Sequence, residues 1–170
     1  MRTIALLSLF IVNLSASLPA TATDVPNAEV LGRWASETAV LNITEQDGQL
    51  HAHIIALKDP LYTAEEQLGP VGTPRLDDNN PDASLRERPV LGMDLLVEYR
   101  HTGKRWEGKI YDPESGNTYS SRMKVDRDGN LAMRGYIGTP LLGRTAIFVP
   151  VSTCQPAIKD MLAKANLTDC

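Results

Sequence analysis

Residues 106–137 read WEGKIYDPESGNTYSSRMKVDRDGNLAMRGYI and contain the clearest strand pattern in the chain. Apolar or small residues alternate with polar ones along three runs of this stretch, and the segments PESGN and DRDGN separate the runs. Alternation with a period of two gives a strand one buried and one solvated face. Glycine and asparagine between such runs favour the tight turns that join antiparallel strands. The stretch therefore predicts three consecutive antiparallel strands that share one apolar face.

The same pattern continues on both sides of this stretch. Glycine-containing turns recur in EQDGQ at 45–49 and HTGK at 101–104. Further strands are predicted at residues 30–35, 38–44, 49–57, 91–99 and 143–149. An up-and-down sheet of about eight strands removes both of its exposed edges by closing on itself. We therefore predict an all-β fold, a closed up-and-down antiparallel barrel of about eight strands, with a two-sheet sandwich as the alternative.

The first residues predict export. Arg2 precedes an apolar run at 4–14, and small residues follow up to the A-T-A of 20–22. This is the pattern of a secretory signal peptide, and the apolar run is too short to cross a bilayer. We expect cleavage after Ala22, so that residues 1–22 are removed, no membrane span remains and the protein is periplasmic.

The length and charge of the chain limit its domain count and its partners. The part after the leader suits a single core, which we assign to a barrel domain at residues 23–153. The chain has 17 Lys and Arg against 21 Asp and Glu, a net charge of −4, and contains no basic run. Nucleic acid and anionic membrane surfaces are therefore not expected partners, and we expect a monomer.

The C-terminal segment, residues 154–170, predicts a helix tied by a disulfide. Cys154 and Cys170 are the only cysteines, and an isolated pair in an exported chain is expected to be oxidised. Pro156 suits the first position of a helix, and Ile158, Met161 and Leu162 then fall on one helical face. We predict that this helix packs on the outside of the barrel.

The long connection at 58–90 predicts two short helices. Thr63 and Glu66 have the spacing of a capping box, which marks the start of the first helix. Asn80 is a favourable N-cap for the second, and Pro89 would end it. Because this connection carries its own structure, it is a candidate lid over one end of the barrel.

The part of this connection that reads LDDNNPDASLRERP, residues 76–89, carries the densest set of charged groups. Asp78, Asn80 and Asp82 imitate the first three ligands of a calcium loop. The sixth position lacks the required glycine and the twelfth lacks the bidentate glutamate. We therefore predict no metal site, and we assign these three residues a structural role as caps and turn formers.

Two arginines in the same segment have two interpretations. Arg86 and Arg88 could hold an anion together, or one of them could tether the segment. We favour the tether, in which one arginine pairs with an aspartate of the segment, namely Asp77, Asp78 or Asp82.

Two histidines also share a face of a predicted strand. His51 and His53 lie there without a third ligand beside them, so we expect them to face solvent rather than a metal ion.

Four segments in order carry a resemblance to a known family. These are Gly32-Arg33-Trp34, DDNNPDASLRERPVLGMDLL, WEGKIYDPESGNTYSSRMKV and LAMRGYIGTPLLGRTAIF. Over residues 29–150 the chain resembles the exported bacterial domain-of-unknown-function family 2147, which is itself similar to the calycin barrels that include lipocalins. The resemblance implies a calycin-like barrel but no assigned reaction. It also implies that a cation on the last strand covers the indole of Trp34. Arg144 is the expected cation, with Arg134 as the alternative.

Small residues on the predicted inner face suggest a hollow barrel. They are Ala39, Ala52, Ala56, Gly108, Ser121, Gly135 and Ala146. We therefore expect a non-enzymatic barrel without a cofactor that binds one small apolar or amphipathic molecule. The expected ligand-binding residues are Arg86, Trp106, Tyr119, Arg134 and Tyr136.

Two alternatives from other functional classes remain. One is an envelope accessory protein whose barrel is filled by side chains and which binds a protein partner through residues 58–90. The other is an enzyme that uses carboxylates and arginines at the barrel mouth, with Asp77, Asp78, Arg86, Arg134 and Tyr136 as its groups.

Overall fold

The computed structural model describes residues 28–66 and 68–170, so the predicted leader at residues 1–22 lies outside the described residues. The strands are β1 (Gly32–Ala35), β2 (Ala39–Gln46), β3 (Gln49–Leu57), β4 (Leu96–His101), β5 (Trp106–Asp112), β6 (Asn117–Val125), β7 (Leu131–Tyr136) and β8 (Arg144–Pro150). Each strand pairs antiparallel with the next, and β8 pairs with β1. The predicted closed barrel of eight strands is therefore confirmed.

Connections alternate between the two ends of this barrel. The end that carries the β3–β4 connection, the β5–β6 turn and the β7–β8 loop is here called the open end. At the other end, tight turns follow β2, β4 and β6, and the interior is filled by large side chains such as Leu50, Trp106 and Leu131, each at most 2% exposed. The barrel is thus packed at one end.

A close backbone approach explains one of the predicted small residues. A Cβ atom on Gly108 would lie 2.7 Å from Cα of Tyr99 and 2.8 Å from its ring. Tyr99 is fully buried, and its hydroxyl lies 3.2 Å from Oγ of Ser121. Gly108 is therefore required to admit the Tyr99 ring, and the space that it leaves is occupied.

The C-terminal segment forms the predicted helix, α1 (Pro156–Lys164). Cys154 and Cys170 form the predicted disulfide, with 5.4 Å between their Cα atoms. The buried face of the helix, Ile158, Met161 and Leu162, clusters with residues of β1, β2 and β3, namely Ala35, Val40 and Ala56. The helix therefore lies on the outer surface of the barrel.

Ala56 faces that helix and not the barrel interior, which corrects its predicted position. The register of β2 and β3 shifts between Val40 and Leu41, so that Val40 pairs with Ala56 but Leu41 pairs with Ile54. Such a bulge reverses the alternation of side chains along one strand. Ala56 consequently contributes to the outer cluster.

Of the two short helices predicted in the β3–β4 connection, the described residues contain the second, as a single 3-10 turn. Near Thr63 there is a turn in which its backbone N–H donates to Oε2 of Glu66 at 3.0 Å, but no helix follows among the described residues. Farther on there is a single 3-10 turn, Ala83–Leu85, and Asp82 rather than Asn80 is its cap. The connection is instead organised by isolated antiparallel bridges, at Leu61–Pro74 and Leu76–Pro89.

No helix in the described ranges is long and apolar enough to span a lipid bilayer.

Candidate functional site

A cavity of about 740 Å³ lies at the open end and is lined by strands β5 to β8 and the loop between β7 and β8. Its apolar wall includes Ile110, Met133, Gly135, Ala146 and Phe148. Its polar groups are Asp112, Tyr119, Ser121, Tyr136, Arg144 and Thr145. The remaining lining comes from the β7–β8 loop, through Ile137, Leu142 and Gly143. The site is therefore a mainly apolar pocket with a few polar groups in its wall.

Small inward residues on three strands create this space. Ser121 of β6 pairs with Gly135 of β7, and Met133 of β7 pairs with Ala146 of β8. A Cβ atom on Gly135 would meet no atom closer than 3.6 Å. Ala52, by contrast, is completely buried in the packed core. The small residues therefore hollow the barrel along β6, β7 and β8 only.

Arg144 supplies the available charge of the cavity. Its side chain is exposed at the start of β8, and it forms no hydrogen bond or ion pair with the other residues of the described ranges. The carboxylate of Asp112 is already engaged in the β5–β6 turn, where it accepts from the Glu114 backbone N–H at 3.0 Å and from Oγ of Ser115 at 2.6 Å. Of the two charged side chains in the lining, the Arg144 guanidinium is therefore the one free to meet a bound molecule.

The β7–β8 loop forms one rim of the cavity and is held by Arg134. The guanidinium of Arg134 donates to the carbonyl of Pro140 at 2.7 Å, to that of Leu141 at 3.2 Å and to Oγ1 of Thr145 at 2.9 Å. At the end of the loop, a Cβ atom on Gly143 would lie 2.5 Å from the carbonyl oxygen of Gly135. Glycine at 143 thus lets the loop approach β7 closely.

The expected ligand-binding residues are only partly brought together. Tyr119 and Tyr136 line the cavity. Arg134 lies beside it and is occupied by the loop. Trp106 is 2% exposed in the core and does not line the cavity. Arg86 lies in the β3–β4 connection, where its Nε donates to the carbonyl of Asn80 at 2.7 Å.

The predicted cation over Trp34 is corrected by the strand register. Trp34 pairs with Pro150 at the end of β8, whereas Arg144 pairs with Gly135 at the start of that strand. The Trp34 indole N–H instead donates to the carbonyl of Val30 at 2.9 Å. Arg144 therefore belongs to the cavity, and Trp34 to the core.

The β3–β4 connection does not form the lid that its position suggested. None of the described residues between 58 and 90 lines the cavity, whose rim is the β7–β8 loop. The connection is instead fastened to β5 through a buried polar cluster around Asp77, which is fully buried. This cluster holds the connection against β5.

Four groups form this cluster. Oδ2 of Asp77 accepts from Nε and Nη2 of Arg88, both at 2.8 Å, and from Nδ2 of Asn80 at 2.7 Å. Oδ1 accepts from the hydroxyl of Tyr111 at 2.6 Å. Burial, followed by the bond to Asp77 and its negative charge, raises the pKa of Tyr111 to about 12. The predicted arginine tether is thus present as Arg88–Asp77.

The other aspartates of the segment also have local partners. Asp78 accepts from the hydroxyl of Tyr62, and Asp82 accepts from the backbone N–H of Ser84 at 2.9 Å. Burial and the bond to Asp78 raise the pKa of Tyr62. The groups named for an enzyme site therefore lie apart, with Asp77 and Asp78 in the connection and Tyr136 at the cavity.

The histidine pair is divided between a structural contact and solvent. Nδ1 of His51 lies 2.7 Å from Oδ2 of Asp94, whose Oδ1 accepts from the backbone N–H groups of Ala52 and Leu96. His53 is exposed. Within the described ranges, no three His, Cys, Asp or Glu side chains are arranged to hold a metal ion.

Comparison with solved structures supports the fold. The chain is similar to a structure described as "Protein HP1028 from the human pathogen Helicobacter pylori belongs to the lipocalin family". The two share 20% sequence identity with a TM-score of 0.56, over 82% of this chain and 90% of that one. At this identity the likeness concerns the architecture of the barrel.

Comparison of sequences gives the family. No curated protein matches this chain. Residues 32–149 match the family described as "Uncharacterized protein conserved in bacteria (DUF2147)". This match extends from the first residue of β1 almost to the end of β8, so it includes every strand of the barrel and every residue of the cavity. The protein therefore belongs to the DUF2147 family.

Proposed function

We propose that this protein is a periplasmic, non-enzymatic barrel that binds one small, partly apolar molecule in the open-end cavity. The observation that supports the proposal is the cavity itself, whose volume of about 740 Å³ suits a small ligand. The lining comes from strands β5 to β8 and the loop after β7, and the interior of an eight-stranded barrel can hold one small ligand. The signal-peptide pattern at residues 1–22 supports the periplasm as the compartment.

The polar groups suggest how the ligand is oriented. Phe148, Met133 and Ala146 line the cavity from strands β7 and β8, while Arg144 lies at the exposed start of β8. An apolar portion would therefore contact the wall, and a group that accepts hydrogen bonds would meet the guanidinium. An amphiphile with an acidic head group has this chemistry.

Filling the cavity tests the proposal. We expect the parent protein to bind a neutral apolar fluorescent probe and Gly135→Leu to lose that binding at nearly unchanged stability, because the added side chain enters empty space. Ala52→Leu is the matched control. It overpacks the core at a cost of about 1–3 kcal/mol and leaves the cavity open, so probe binding should persist below the melting temperature. A parent that binds no probe, or a Gly135→Leu variant that still binds it, would refute the proposal.

The role of Arg144 is tested by competition. A linear aliphatic acid should displace the probe at a concentration about three- to tenfold lower than that needed for the alcohol of equal chain length. A charge-assisted hydrogen bond to a solvated arginine is expected to strengthen binding by about this factor. Arg144→Gln should remove the difference and Arg144→Lys should retain part of it. Arg100→Gln changes an exposed arginine at the opposite end of the barrel and should have no effect. Equal potency of acid and alcohol on the parent would contradict the orientation while leaving cavity binding intact.

A further inference from the structure

The β7–β8 loop exposes an unusual set of apolar side chains. Ile137, Leu141 and Leu142 are 75%, 84% and 79% exposed. A single exposed aliphatic residue is ordinary on a protein surface, but three on one short loop form a patch that needs an explanation. The patch does not result from a loosely held backbone, because Arg134 donates to the carbonyls of Pro140 and Leu141.

Further bonds give the loop a definite shape. Thr139 caps the 3-10 turn Pro140–Leu142, and the backbone N–H of Gly143 donates to the carbonyl of Pro140 at 3.2 Å. The polar groups of the loop backbone are thus turned inward, toward Arg134 and toward one another. The apolar side chains of the loop are left exposed on this fixed base.

We propose that the β7–β8 loop docks on the surface of a lipid bilayer by inserting Ile137, Leu141 and Leu142 among the lipid chains. Insertion needs only that these side chains descend roughly 5–10 Å into the interface. A specific protein partner would need about 1,000 Å² of complementary buried surface, which three aliphatic side chains on one short loop do not supply. The proposal does not depend on whether the cavity binds a ligand.

The exposed patch lies beside the mouth of the cavity. Ile137 and Leu142 belong both to the exposed patch and to the lining of the cavity. A docked loop would therefore place the cavity mouth against the bilayer. Arg144, beside the loop, would lie at the level of the lipid head groups, where long cationic side chains are stable.

Vesicle binding tests the proposal directly. Both natural tryptophans, Trp34 and Trp106, are buried, so Leu141→Trp places the single solvated indole of the described ranges on the loop. With phosphatidylcholine vesicles the emission of this variant should shift to shorter wavelength. In co-sedimentation, Leu141→Ser should weaken binding about tenfold relative to the parent, as expected for the loss of one inserted leucine. Added salt should have little effect, because the chain is net negative and insertion rather than charge drives the contact.

Two control variants complete the experiment, one at an exposed leucine outside the loop and one in which the cavity is filled. Leu68 is 59% exposed in the β3–β4 connection, and Leu68→Ser should bind vesicles as the parent does. Gly135→Leu should also still bind them, which separates docking from ligand uptake. The proposal would be overturned by a parent that stays in the supernatant, by equal losses in Leu141→Ser and Leu68→Ser, or by a parent dimer that Leu141→Ser dissociates.

Discussion

At the scale of single residues, Asp77 shows how a buried charge can be accommodated. Its two carboxylate oxygens accept from Arg88, Asn80 and Tyr111, so each oxygen of the buried charge has at least one hydrogen-bond donor. The Arg88 guanidinium also lies over the Tyr111 ring, 5.4 Å from its centroid. Removing one partner of such a cluster costs more than the mean hydrogen bond, because the others remain desolvated.

The raised pKa of Tyr111 predicts a loss of stability in alkali. Folding raises the pKa of the Tyr111 phenol from about 10 to about 12, so the protonated phenol stabilises the folded state. This contribution is complete below pH 10 and is lost as the pH rises to about 12. Tyr111→Phe should lower the free energy of unfolding by about 1–3 kcal/mol at pH 8, since Oδ1 of Asp77 loses its donor. Denaturant titrations of parent and variant should therefore converge between pH 10 and 12. Parallel curves over that range would contradict the assignment.

The sequence could not reveal this cluster. Asp77 stands in a segment rich in Asp and Asn that reads as turns, and Tyr111 stands on a strand as an outward-facing residue. Their meeting depends on how a long connection folds back onto β5, which no local pattern specifies. The arginine tether was predictable in kind, because unpaired charges in one segment tend to pair, but not in its partner.

At the scale of elements, strands were predicted better than the connection between β3 and β4. Alternation and glycine turns report on strands directly, and the observed β3, Gln49–Leu57, has the predicted bounds. Caps report only that a helix can start. The amide of Asn80 is drawn to Asp77 and Tyr111, so Asp82 takes over the cap and the helix shrinks to one 3-10 turn.

The C-terminal helix is short, and its disulfide should contribute much of its stability. Cys154 and Cys170 are 16 residues apart, a loop for which the chain-entropy estimate is about 3 kcal/mol. Replacing both by serine should lower the free energy of unfolding by about 3 kcal/mol, which a denaturant titration would show as a lower midpoint. Reducing the parent should have the same effect. A parent and a double variant with equal midpoints would contradict this role.

At the scale of the whole molecule, the barrel is filled at one end and hollow at the other. The sequence predicted the small residues of the inner face but not which of them leave empty space. That depends on the side chains that lie opposite each one across the sheet. Gly108 is covered by Tyr99, Ala56 is turned outward by a bulge, and Gly135 faces open space. The location of Arg144 also depends on pairing across the sheet. The register of β7 and β8 places it opposite Gly135, which its position at the start of the last strand does not by itself determine.

The seam between β1 and β8 has a consequence for how the chain reaches this fold. It pairs Trp34 with Pro150 and Ala35 with Val149, so the two ends of the domain must meet before the barrel exists. Contacts between such distant parts of a chain form slowly, because the entropy of closing the long loop opposes them. Until β8 arrives, β1 and β7 each present an unpaired edge that another chain could extend. During folding the chain therefore passes through an interval in which these edges are open to pairing with another chain, and this interval ends when β8 pairs with β1.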